Sequence, residues 1–71
     1  MMEKTIKSIK RLRNSYAGNP AFEITFEGGL TLKTKANIAD AYKVTDAWAG
    51  KRVKVETETS KSGKTQIVGL D

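Results

Sequence analysis

Histidine and cysteine, the residues behind much enzyme and metal chemistry, do not occur in this 71-residue chain. Their absence removes the commonest general base, the commonest metal ligand and all thiolate ligation. Carboxylates, lysines and hydroxyls remain. Glu23 and Glu27 stand four apart on one alternating segment, and Glu56 and Glu58 two apart on another, so each pair shares a strand face. Both faces read as solvated, whereas a general acid needs burial to raise its pKa. Ser62-Gly63-Lys64-Thr65 ends like a phosphate-binding loop, but Glu58 occupies the place of the first glycine. That segment also lies between two strands, not between a strand and a helix, so it is expected to be a hairpin tip. No catalytic residue, metal site or cofactor is expected.

Basic side chains form the other set with a chemical use. Thirteen Lys and Arg against eight Asp and Glu give a net charge of +5. The excess gathers at the two ends of the chain: Lys4, Lys7, Lys10, Arg11 and Arg13 face only Glu3 in the first stretch, and Lys51, Arg52, Lys54, Lys61 and Lys64 dominate the last. Such a surface attracts a phosphate backbone or an acidic protein surface. Stacking of bases needs an exposed aromatic ring as well. Tyr16, in a turn beside Arg11 and Arg13, is the candidate, whereas Phe22 and Phe26 alternate inward and Tyr42 and Trp48 suit a helix's core face.

The elements that position these groups follow from turn residues and periodicity. Ser15 to Pro20, Glu27-Gly28-Gly29, Ala49-Gly50 and Ser60 to Gly63 are turns on their glycine and proline content. Phe22-Glu23-Ile24-Thr25-Phe26 alternates strictly, and Leu30 and Leu32 alternate with Thr31 and Lys33 after the glycine pair, which predicts a hairpin. Lys51 to Thr59 is a strand with Val53, Val55 and Thr57 on one face, and Thr65 to Leu70 is the last strand. In residues 37–49 the apolar positions Ile38, Ala41, Tyr42, Trp48 and Ala49 fall on one helical face, with Asn37 as cap and Gly50 as stop. A helix of about three turns is expected there, with Ile38, Tyr42 and Trp48 pointing into the core. Met2, Ile6, Ile9 and Tyr16 also fit a helical stripe, but a long bent strand with a bulge explains the broken period between Ile6 and Ile9 and is the preferred reading.

The order is then β-β-β-α-β-β within a single domain spanning 1–71, a mainly β chain read as a five-stranded small barrel with one helix near residues 37–49. It resembles the oligonucleotide/oligosaccharide-binding (OB) fold, with an Sm-like or other small barrel as the alternative. The stretch Ile9-Lys10-Arg11-Leu12-Arg13-Asn14-Ser15, then Gly18-Asn19-Pro20, Phe22-Glu23-Ile24-Thr25-Phe26 and later Gly50-Lys51-Arg52-Val53 resembles small uncharacterised proteins of tailed bacteriophages. That likeness implies action inside a bacterial host cell, in the cytoplasm, and carries no site residues with it.

The expected function is binding without catalysis. Nucleic acid, single-stranded in preference, would lie over Lys10, Arg11 and Arg13 as phosphate contacts, Lys33, Arg52 and Lys54 as extensions of the groove, and Tyr16 as the stacking ring. The alternative partner is an acidic surface on a host protein, with Trp48 as an anchor if exposed. A homodimer through an edge strand would relieve the thin core of so short a chain. No signal peptide, membrane span or other membrane contact is expected.

Overall fold

The structure is a computed structural model that describes residues 2–71. Five strands form one sheet: β1 (Met2–Arg11), β2 (Phe22–Phe26), β3 (Thr31–Lys33), β4 (Arg52–Thr59) and β5 (Thr65–Leu70). Their spatial order is β3-β2-β1-β4-β5, and every neighbouring pair is antiparallel. The chain is therefore mainly β, as its alternation predicts. The sheet does not close into a barrel. Its ends approach at one parallel bridge, Thr34 to Ile67, where the Lys35 amide donates to the Ile67 carbonyl at 2.7 Å.

The first segment is a strand, and its broken period has the expected cause. Ile6 lies opposite Phe26 and Ser8 opposite Thr25, so Lys7 is an extra residue against β2. The bulge shifts the inward set by one position, which brings both Ile6 and Ile9 to the core side despite their spacing of three. Met2 to Thr5 pairs with β4, and Ile6 to Arg11 pairs with β2. Around the changeover β1 is bonded on both sides: Glu27 donates to the Thr5 carbonyl (2.8 Å), while Ile6 exchanges bonds with Lys51 (2.9 Å) and Gly50 (2.7 Å).

The core is built from the inward sides of four strands. Phe22, Ile24 and Phe26 of β2 meet Ile6 of β1, Val53 and Val55 of β4, and Ile67 and Leu70 of β5, all buried. Leu32 packs at the edge of this cluster, while Leu30 is exposed in the turn. Gly28 and Gly29 both hold φ near +100° (98° and 96°), where a side chain is strained, so the β2–β3 turn depends on this pair. The sequence Ser62-Gly63-Lys64-Thr65 is the β4–β5 hairpin tip and start of β5, with Gly63 donating to the Ser60 carbonyl at 2.9 Å.

The helix expected over residues 37–49 is instead two short 3₁₀ turns, Ala39–Lys43 and Asp46–Trp48. Val44 and Thr45 between them are extended, with ψ of 129° and 167°. Both are β-branched, and Val44 is buried in the core, so tertiary packing overrides the helical spacing. Asn37 does not cap a helix; it adopts φ 68° just before the first turn. Tyr42 is 65% exposed, not inward, and Ile38 and Trp48 are only partly buried against the core. Thr57, expected beside Val53 and Val55, is exposed, although it lies opposite the buried Ile67; the register shift there inserts Val68 into β5 and brings both Ile67 and Leu70 inward.

The first 3₁₀ turn is fastened to β5 by charge as well as packing. Asp40 Oδ2 accepts from the Leu70 amide at 3.0 Å, and its other oxygen pairs with Lys43 at 3.0 Å. Gly69 makes room for this approach, since a Cβ there would stand 3.3 Å from the Glu56 carboxylate and 3.5 Å from that of Asp40. The Leu70 amide and then Lys43 hold the Asp40 carboxyl below its ordinary 3.8. A carboxyl lowered in the folded state stabilises above its unfolded pKa, and that contribution disappears as pH falls through the folded value. Asp40→Ala is accordingly expected to cost about 1 kcal/mol at pH 7, with the gap to the parent chain closing once pH drops below 3.8; denaturant unfolding across pH 2–7 measures it. Phe26→Ala removes a wholly buried ring. The expected cost of about 3–5 kcal/mol rivals the roughly 4–10 kcal/mol available to a domain of this size. Circular dichroism should show a cooperative thermal transition for the parent chain and none for that variant.

Candidate nucleic-acid interface

Cross-strand pairing fixes which side chains share the outer face of β1, β2 and β3. Lys10 is opposite Glu23, and Glu23 is opposite Lys33, giving one row across three strands. The next row is Ser8, Thr25 and Thr31, all hydroxyls, with Thr25 and Thr31 bonded to each other at 3.1 Å. Directly opposed side chains have Cβ atoms about 5 Å apart. The face therefore carries two cations around one carboxylate, beside a neutral polar strip. Lys10, Lys33, Ser8 and Thr31 are exposed; Glu23 and Thr25, on the central strand, are half-buried. The two 3₁₀ turns pack against β5 and β1, leaving β2 and β3 uncovered by them on this side.

The remaining candidates do not all join that row. Arg11 lies opposite Phe22, on the core side of the strand; its guanidinium stands 5.3 Å from the ring centroid and donates to Asn14 Oδ1. It caps the end of the core. Arg13 lies beyond the end of β1, exposed in the loop that leads to β2. Tyr16 sits in the turn of that loop with 110% relative exposure, so its ring has solvent on both faces. Arg52 and Lys54 share the outer side but belong to the β4 half of β1, opposite Thr5 and Glu3. Thr5 and Lys10 are five residues apart, about 16 Å along the strand.

The β4 half is also electrically different. Arg52 pairs loosely with Glu3 at 3.9 Å, both side chains being mostly exposed, so the attraction is screened. Lys54 exchanges backbone bonds with Asp71 at 2.9 and 3.0 Å. It lines an open cleft of about 260 Å³ together with Asp40, Glu56 and Asp71. Carboxylates there offset its charge. The structure thus brings Lys10 and Lys33 together, with Arg13 and Tyr16 beyond the same end of the β1–β2 hairpin, and sets Arg11, Arg52 and Lys54 apart.

A polar network steadies the loop bearing Arg13 and Tyr16. The Asn37 side-chain oxygen accepts from the Ser15 hydroxyl (2.7 Å) and the Asn19 amide (2.8 Å), and the Tyr42 hydroxyl donates to the Asn19 oxygen. Ser15 and Asn19 also close the loop through the backbone at 2.8 Å. Asn tolerates the left-handed backbone at position 37, and this is the sequence signal that points to it. Its partners lie 18 and 22 residues away, outside any local pattern. Lys51 adds a second contact absent from the sequence reading, with its ammonium 4.1 Å from the Trp48 ring centroid.

The two arginines should separate experimentally. Arg11→Ala loses the contact over Phe22 and should lower stability by about 0.5–1 kcal/mol, whereas Arg13→Ala should stay within about 0.5 kcal/mol of the parent. Thermal unfolding of both single variants checks this. No helix among the described residues is long and apolar enough to cross a membrane. No family model matches the chain, and no curated protein and no solved structure matches it.

Proposed function

We propose that this chain is a non-catalytic binding module for single-stranded nucleic acid, working on the outer face of β1–β2–β3. The observation that carries the reading is the pairing of Lys10 and Lys33 in one cross-strand row, at the end of the hairpin whose loop presents the fully exposed ring of Tyr16. Cations spaced across a sheet suit successive phosphates, and an aromatic ring open on both faces suits a base. Arg13 extends the basic surface into the loop. Arg52 and Lys54 serve only as a distant attraction, since Glu3 pairs loosely with the one and carboxylates line the cleft beside the other.

The same proposal covers the architecture. We read the open sheet as an incompletely joined barrel of the oligonucleotide/oligosaccharide-binding kind. The order β3-β2-β1-β4-β5 and the parallel Thr34–Ile67 bridge between its two ends support that reading. With the resemblance to small phage proteins, it suggests a phage product acting in the cytoplasm of a bacterial host.

Fluorescence anisotropy with a labelled single-stranded oligonucleotide, titrated against salt, tests the function. Binding should saturate and persist at about 0.15 M salt. Lys10→Ala and Lys33→Ala should each flatten the log–log salt slope by about 0.7, the value for one phosphate contact on a single strand. Tyr16→Ala should weaken binding about fivefold or more while leaving the slope unchanged. Binding that vanishes well below that salt, or ignores all three substitutions, would overturn the reading; an acidic protein surface then becomes the ligand to pursue with the same variants.

A further inference from the structure

Net positive charge does not account for Glu23. It occupies the middle of the basic row, opposite both Lys10 and Lys33, yet forms no ion pair among the described residues. Glu23 is a half-buried residue on the central strand of the uncovered face, next to hydroxyls that carry no charge. A carboxylate in that position repels phosphate, so a bound backbone must keep to the lysines on either side. What comes to lie over Glu23 is then a base.

We propose that Glu23 makes this face selective for guanine within a single strand. The inference rests on the nucleic-acid reading above. An ionised carboxylate only accepts hydrogen bonds, through two oxygens suited to a pair of parallel donors. The Watson–Crick edge of guanine offers such a pair, N1–H beside the N2 amino group. Cytosine and adenine present one amino group next to a ring nitrogen whose lone pair faces the carboxylate. Thymine and uracil present one N–H between two carbonyl oxygens. Guanine alone satisfies both oxygens without opposing a lone pair, and single strands leave this edge free to be read. Lys10 and Lys33 hold the flanking phosphates, and Thr25 and Ser8 offer hydroxyls to the neighbouring nucleotide.

The test compares two labelled strands with the full chain: oligothymidine, and the same strand carrying isolated guanines too far apart to form quartets. The parent chain should bind the guanine-bearing strand about tenfold more tightly, the scale of one bidentate base contact. Glu23→Gln replaces one acceptor by a donor and should bring the two strands within about twofold of each other. Its affinity for oligothymidine should hold or rise, because a negative charge has left the basic row. Glu23→Ala should likewise erase the preference, and circular dichroism of both variants verifies the fold. Equal binding of the two strands by the parent, or a preference that survives Glu23→Gln, overturns the guanine assignment while leaving nucleic-acid binding intact. Failure of both strands to bind at about 0.15 M salt overturns both readings together.

Discussion

Strand β1 has to satisfy different neighbours along its length, β4 through Met2 to Thr5 and β2 through Ile6 to Arg11. A flat strand of regular period cannot send Ile6 and Ile9 to one core while its two halves belong to differently directed parts of a twisted sheet. The extra residue at Lys7 resolves this, since a bulge both shifts the facing set and bends the strand. Everything else hangs on that bend. It carries the β4–β5 hairpin away from β2 and β3, brings Ile67 round to meet Thr34, and leaves the Lys10 end of the strand facing outward beside Glu23.

Local alternation made most of this architecture readable. Phe22 to Phe26 and Val53 to Val55 announce strands whose inward residues are buried, and the glycine pair at 28–29 marks its turn. The bulge was readable too, because Ile6 and Ile9 violate a period of two in a segment otherwise rich in strand formers. The helix was not. Residues 37–49 have the spacing of an amphipathic face, but the decisive interactions are Val44 in the core and Asp40 on the Leu70 amide, both made with chain far away in sequence. Such contacts leave no trace in a local window.

The candidate site divides along the same line. That Lys10, Lys33, Arg52 and Lys54 face outward was readable from alternation. Which of them gather was not, because it depends on register: Lys33 meets Glu23 and Lys10 through β2, whereas Lys54 meets Glu3 and Asp71. Arg11 illustrates the point most sharply. One step beyond Lys10, it faces the other side of the sheet and lies over Phe22. Composition counts these side chains alike, but the pleat turns one to the outer face and the other to the core side. Tyr16 was readable as a loop residue, while the Asn37 network that steadies its loop was not.

The division of β1 between two partners also sets an order of events as the chain is made. Its second half finds β2 within a local hairpin, but its first half waits for β4, which begins at Arg52. At about 5–20 residues per second, ribosomes need roughly 2–9 s to supply those intervening residues. Until then the Met2–Thr5 edge has no neighbour, and the valines that will cover it do not yet exist. Adjacent opposite charges on that segment, Glu3 and Lys4, are a natural guard against mispairing with other nascent chains, since charged edge strands resist joining one another. The charges of this edge thus serve the chain before it is finished, by keeping it single.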